Sequence, residues 1–262
     1  MDLGLKGKRA LVMGASKGLG RAIADSLAAE GAALVVSGRD QAKLDAVAGE
    51  LKAAGASAAF GVPADVGSAA DMDRLADEAV RLLGGVDILV LNHGGPPPGS
   101  ALEITEAQLA EWFPKIVLHP IRIATRLLPA MRAQKWGRII TVGSTGMVQP
   151  IPNLAISNIL RAAIVGWNKS LSAEVAKENI TCNILAPGAI LTDRQKETQG
   201  AIAAKRGIPV EAVMEERAAS IPAGRIGRAE EFGPLGAFLA SDHAAYITGS
   251  ILRVDGGIMR GF

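Results

Sequence analysis

The feature that most constrains this chain is an alternation. Short apolar runs rich in β-formers occupy 9–13, 33–37, 58–62, 87–91, 138–142, 181–186 and 251–254, and Gly, Asp or Asn follows several of them. Runs of this length read as strands buried on both faces, the signature of a parallel sheet. Helical patterns fill the gaps at 19–30, 41–54, 69–83, 105–134, 154–177 and 229–240. Strands and helices in strict alternation imply stacked βαβ crossovers. The predicted fold class is therefore α/β: a doubly wound parallel sheet of Rossmann type in three αβα layers. No Pro/Gly/Ser-rich linker divides the chain, so 1–262 reads as one domain. Segment 189–224 is charged and has no strand signal, and it reads as a flap of one or two helices over the end of the sheet.

Composition removes several function classes. Lys and Arg number 28 against 26 Asp and Glu, a net charge of +2, with no basic run. That excludes nucleic acid as the expected partner, since such proteins concentrate cations on one face. A hydrophobic share of 49% against 21% charged is enough to bury a core, which excludes whole-chain disorder. The first apolar run is too short for a signal peptide or a membrane span, so a cytoplasmic protein with no membrane partner is expected. Cys182 is the only cysteine, and His93, His119 and His243 are widely spaced, so no metal site is expected. Cys182 lies in a predicted strand and reads as an inert core thiol.

The first strand runs into Gly14-Ala15-Ser16-Lys17-Gly18-Leu19-Gly20 and then a helix. Glycines at these positions permit a tight turn and close approach of the backbone to a pyrophosphate, which the helix N-terminus then faces. Together with later segments, this turn resembles the short-chain dehydrogenase/reductase family over essentially the whole chain. The other matching segments are Asp65-Val66, Asp87 through Asn92-His93-Gly94, Pro187-Gly188-Ala189-Ile190-Leu191-Thr192, Gly224 through Gly227, and Val254-Asp255-Gly256-Gly257. The chain is similar in particular to members that are 3-oxoacyl carrier-protein reductases. The resemblance implies that Gly14, Ser16, Lys17, Gly18, Leu19 and Gly20 cradle a dinucleotide and that Asp65 and Val66 flank its adenine. Asn92 and Gly94 would line the channel, and Pro187, Gly188, Ile190 and Thr192 would hold the nicotinamide end. Gly38 stands where NAD-using relatives carry an acid, followed by Arg39, and Lys17 lies inside the glycine turn. Both cations suit the NADP 2′-phosphate. NADP(H) is expected over NAD(H), which stays open as a second cofactor.

The catalytic positions depart from the family pattern. Ser144 falls on the family serine, but Ser157 stands thirteen residues on, in place of Tyr, and Arg161 four further, in place of Lys. Ile116 occupies the position of the family Asn, and the sole tyrosine, Tyr246, lies near the C-terminus, so no Tyr-x3-Lys exists anywhere in the chain. A serine hydroxyl is a far weaker acid than a phenol, and an arginine stays protonated. Ser144, Ser157 and Arg161 can still form an oxyanion-stabilising set, with Arg161 also on the nicotinamide ribose, while His93 and His119 are candidate substitute acids. Two functions follow. One is an NADP(H)-dependent oxidoreductase acting on a carbonyl or alcohol of a small molecule with an altered proton donor. The other is a non-catalytic dinucleotide-binding sensor or partner subunit. Pro114 and Pro120 are expected to break the long helix, and the proline-bearing loops 93–100 and 147–153 are either an apolar substrate mouth or simply stiff. Family members commonly form tetramers, so a homo-oligomer, tetramer or dimer, is expected.

The cofactor reading has a direct check by fluorescence titration. NADPH should bind saturably and at least tenfold tighter than NADH. Equal affinities would remove Lys17 and Arg39 as a phosphate clamp.

Overall fold

The computed structural model describes residues 2–261. In chain order the main elements are β1 (Arg9–Val12), α1 (Gly18–Ala29), β2 (Ala33–Gly38), α2 (Gln41–Ala53), β3 (Ala58–Pro63), α3 (Ala69–Leu83) and β4 (Ile88–Leu91). Next come α4 (Glu106–Phe113), α5 (His119–Ala133), β5 (Gly137–Val142), α6 (Ala155–Val175), β6 (Ile180–Pro187) and β7 (Ile190–Leu191). The chain finishes with α7 (Asp193–Arg206), α8 (Val210–Ala219), β8 (Gly227–Arg228), α9 (Gly233–Ala240) and β9 (Ile251–Val254). Seven strands form one sheet in the order β3-β2-β1-β4-β5-β6-β9, and every pairing is parallel.

Side chains alternate across this sheet with period two. Ala10 and Val12 join one apolar layer with Ile23 and Leu27 of α1, Leu44 of α2 and Leu239 of α9. Leu11 joins the other layer with Leu75 of α3, Leu127 of α5 and Val175 of α6. Both faces of the central strands are thus covered, which is why they read as unbroken apolar runs. Short polar residues set the helix starts: Asp40 caps α2 by accepting from the Lys43 N–H at 3.2 Å, as its place after β2 predicts, and Ser68 caps α3.

Strand order reverses direction between β1 and β4. In open α/β sheets this is where the carboxyl ends leave a crevice. The residues delivered there are Gly14 after β1, Arg39 after β2, Asn92 and His93 after β4, Ser144 after β5 and Gly188 after β6.

Two expectations need correction. Pro114 and Pro120 do not break the helical stretch. Residues Pro114–Leu118 form a π turn joining α4 to α5, closed by the His119 N–H donating to the Pro114 carbonyl five residues back. Proline removes an N–H from the ladder, and a widened turn absorbs the loss without ending the helix. The flap segment 189–224 does contain α7 and α8, but it also holds β7, which pairs with β8. A two-residue strand carries no periodic signal, so the sequence could not show it.

Arg138 anchors the amino end of β5. It is fully buried and donates to the carbonyls of Gly137 and Asn179 at 2.9 Å and of Ser241 at 3.3 Å, with Asp242 at 3.0 Å. Trp136 lies against the guanidinium, its ring centroid 4.2 Å away. Arg138→Met would leave these carbonyls without donors, so the urea midpoint should fall by the equivalent of about 3 kcal/mol. An unchanged midpoint would mean that water reaches this corner.

Candidate active site and cofactor cleft

An open cleft of about 560 Å³ occupies the reversal point. The structure brings Gly14, Ser16, Lys17, Gly18, Leu19, Arg39, Asp65, Val66, Asn92, Gly94 and Thr192 to its walls. Gly20 lies under the turn. Pro187, Gly188 and Ile190 are not among the wall residues, and neither are Ser144, Ser157 and Arg161. A groove of similar size runs along the outer edge of β3, but it lies away from the reversal point, and its Arg81 and Glu78 pair with each other.

The glycine turn is shaped by Asn92. The Asn92 amide donates to the carbonyls of Met13 at 3.2 Å and Gly14 at 3.0 Å, tying the end of β4 to the end of β1. Gly14 has φ of +58°, and a Cβ there would sit 2.7 Å from the Asn92 Nδ2. A Cβ on Gly20 would lie 2.5 Å from both that nitrogen and the Gly14 carbonyl oxygen. No side chain can be added at either position without moving the backbone. Lys17 precedes α1 without capping it, so the first N–H groups of the helix stay open toward the cleft. That is the arrangement a pyrophosphate needs, and the residues present fit a dinucleotide.

At the adenosine end, Arg39 stands with Ser16, Ser37 and Gly38, and among the described residues it has no acidic partner within 4.0 Å. Lys17 is engaged differently from the sequence reading. Its Nζ lies 3.4 Å from Asp193 and 3.9 Å from Glu197, joining the glycine turn to the first turns of α7. Trp112 and Lys115, which sequence reasoning missed, complete this wall, with Lys115 set over the Trp112 ring at 4.5 Å. His119 hydrogen-bonds through Nδ1 to the Val66 carbonyl, supports that loop and does not line the cleft.

The residues carried over as catalytic lie together beyond the end of β5. Ser144 Oγ accepts from the Gly146 N–H at 3.0 Å, which leaves its own proton free to be donated. Ser157 is half-buried on α6 and has no hydrogen bond to the described residues. Arg161, one helical turn on, is buried and donates from Nη1 to the Val142 carbonyl at 3.0 Å. Asn158, also missed from sequence, bonds the Ile151 backbone through both its amide atoms and holds the proline-bearing loop onto α6. Ile116 is buried among Ile156, Leu160 and Val117, so no polar group stands where the family has Asn. Tyr246 is fully exposed, beside a turn whose Ile247 and Thr248 bond Asn183 and Cys182 in the amino half of β6. That is the opposite end of the sheet from the cleft. Cys182 is buried, and its thiol is pushed up to about 12.

His93 borders the cleft and is the residue most altered by its surroundings. Its Nδ1 lies 2.6 Å from the Gly94 carbonyl, which can only accept, so Nδ1 carries the proton and Nε2 offers a lone pair. Burial, then the charge of Arg161, and further Arg194 hold the ring down to about 4. His93 is therefore neutral at neutral pH and is not a ready acid. Arg194, in the first turn of α7, donates to the Pro96 carbonyl at 3.0 Å and brings the flap over the loop after β4. Nothing in its sequence context marks it except its place two residues after Thr192.

Comparison with known proteins finds relatives over nearly the whole chain. The family described as Enoyl-(Acyl carrier protein) reductase matches residues 14–259. A 3-oxoacyl-[acyl-carrier-protein] reductase of Escherichia coli (strain K12) is 34% identical over 259 residues, 98% of this chain and 99% of the relative. Dehydrogenase/reductase SDR family member 4 of Sus scrofa is 36% identical over 254 residues, 97% of this chain and 88% of the relative. The crystal structure of L-sorbose reductase from Gluconobacter frateurii, complexed with NADPH and L-sorbose, superposes with a TM-score of 0.95 at 33% identity over 100% of both chains.

The state of His93 has a measurable consequence. The unfolded chain takes up this proton near 6.5, whereas the folded ring resists it down to about 4. Between those values the unfolded state binds more protons, so this contribution is complete above about 6.5 and declines as pH falls toward 4. Thermal melts of His93→Gln across that window should show less acid sensitivity than the parent. An identical slope would sink the description of this ring.

Proposed function

The chain belongs to the short-chain dehydrogenase/reductase family, and from that premise we propose that it is an NADP(H)-dependent oxidoreductase acting on a carbonyl or alcohol with an altered proton donor. One observation carries the reading. A cleft whose residues fit a dinucleotide lies at the reversal point, and beyond the end of the neighbouring strand β5 follow Ser144 and, donating to Val142, Arg161 of the helix that also carries Ser157. When bound, NADP(H) supplies or accepts the hydride.

The chain's own residues do the rest. The open N–H groups at the start of α1 hold the pyrophosphate. Arg39, with the Ser16 and Ser37 hydroxyls beside it, holds the 2′-phosphate, and this supports a preference for NADP(H). Lys17 ties the turn to the flap, so segment 189–224 closes over the same cleft. Ser144 and Ser157 each have a hydroxyl proton free for the substrate oxygen. Arg161 has spent one donor on Val142 and keeps the others. Burial and the charge of Arg194 lower its guanidinium to about 10, which still leaves it positive at neutral pH. These three groups stabilise negative charge on the substrate oxygen as it forms. None of them is an acid of phenol strength and His93 is neutral, so the proton is exchanged with water through the open cleft.

Consumption of NADPH over a panel of aldehydes and ketones tests this. Ser144→Ala should lower kcat/KM on any accepted substrate by about 10²-fold, with NADPH affinity unchanged. An unaltered kcat/KM would remove Ser144 from the site. Tight NADPH binding with no turnover across the panel would favour the dinucleotide-binding sensor.

A further inference from the structure

The arginines of this protein divide into two kinds. Arg9, Arg21, Arg122, Arg126, Arg132 and Arg206, among others, each face a carboxylate within 4.0 Å. Among the described residues Arg39, Arg161, Arg194, Arg217, Arg253 and Arg260 have no acid within that distance; of these Arg161 is the buried one, and Arg39 and Arg194 line the cleft. Arg161 is only 9% exposed, and its side chain makes a single hydrogen bond, to Val142. A guanidinium has five donors. The remaining four have no partner among the described residues, and a buried cation without a counter-charge is costly.

Arg194 reaches the same region from the flap. It donates to Pro96, and its guanidinium lies so close to the loop after β4 that a Cβ on Gly95 would meet both Nη atoms at 3.2 Å. Of the two flap acids in the same helical turns, Asp193 lies 3.4 Å from Lys17, and Glu197 lies 3.9 Å from Lys17 while its charge also acts on Arg194. His93 shares the cleft wall with Arg194 and is uncharged at neutral pH. Arg194 and His93 border the same cleft, while Arg161 donates to Val142 at the end of β5; the charges of both arginines add to burial in lowering the His93 ring. Ser144, Ser157 and Asn92 add hydroxyls and an amide. The acid Asp65 lies at the adenosine end, beside Gly67.

We propose that Arg194 and Arg161 form a receptor for a carboxylate, so that the substrates of this enzyme are small oxo- or hydroxy-acids whose acid group seats on Arg194 while the reacting oxygen faces Ser144 and Ser157. This rests on the reading of the site as an oxidoreductase, but it concerns recognition and makes a claim that turnover is not needed to check. Bidentate pairing of a planar guanidinium with a carboxylate is the strongest such contact available. Arg194 keeps four of its donors free for it.

Binding of unreactive probes separates this from the parent reading. Butyrate and its neutral isostere butyramide are titrated by calorimetry into the protein alone and into the protein saturated with NADPH. Butyrate should bind at least tenfold tighter than butyramide. Arg194→Gln should reduce that preference to less than threefold, Arg194→Lys should restore part of it, and NADPH affinity should change less than threefold in both variants. Butyrate preference without NADPH binding would keep this inference and remove the cofactor reading. NADPH binding without any butyrate preference would overturn this inference alone. Loss of NADPH affinity by more than tenfold in Arg194→Gln, with the butyrate preference retained, would also overturn it, because Arg194 would then serve the cofactor phosphates.

Discussion

The contact on which the rest depends is the tie between Asn92 and the glycine turn. Two hydrogen bonds, at 3.2 and 3.0 Å, join the carboxyl ends of β4 and β1 at the point where strand order reverses. The same side chain fills the space that a Cβ on Gly14 or Gly20 would need. The glycines are thus required twice: by the backbone conformation at Gly14 and by the approach of Asn92 to both. Because the turn is held from behind, its N–H groups face outward without any capping side chain. An open set of N–H donors results from packing on the far side of the loop.

Around that fixed turn, charge is distributed in a way that stability alone does not explain. Many surface arginines are matched with acids in side-on pairs, such as Arg122 with Asp73 and Arg126 with Asp77, though exposed Arg253 and Arg260 are not. Each such pair contributes little, about 0–1 kcal/mol. At the cleft Lys17 and Lys115 are paired with acids, whereas Arg39 at one end and Arg194 at the other have none within 4.0 Å among the described residues, and neither has the buried Arg161 beyond β5. An unmatched buried guanidinium reduces stability, and a fold that keeps one has a ligand of opposite charge to gain. Cations at the two ends, with a helix N-terminus between them, suit a ligand set carrying several separated anionic groups.

The parts legible in the sequence were those with a repeating or local signal. The seven strands of the sheet and most helices follow from period and length, and Asp40 as a cap follows from its place. The glycine turn is legible because its residues are contiguous. The absence of the phenol is legible from composition alone, since Tyr246 is the only tyrosine. What could not be read depends on distant residues meeting. Arg194 is one charge among many on α7 until the fold sets it against Gly95. Asn158 looks like an ordinary helix residue until it grips Ile151. The π turn at 114–118 hides behind two prolines whose usual effect is to end a helix. Lys17 read as a phosphate ligand because of its neighbours in sequence, while in the fold its nearest charges come from the flap.

The altered proton donor can be weighed by magnitude. General acid catalysis by a positioned group is worth about 10²–10⁴-fold. A single preorganised donor to a developing oxyanion is worth about 10²–10³-fold in a site from which water is largely excluded. Beside a cleft open to water each donor is worth less than that, so Ser144, Ser157 and Arg161 together offset only part of the missing phenol. Arg161 is suited to that task where lysine is less so. It stays charged at neutral pH despite burial, and its fork can serve Val142 and a second acceptor at once. Such a site favours stabilising the charge that hydride transfer creates over delivering a proton in step with it. The proton can then arrive from solvent, for which the open cleft leaves a path.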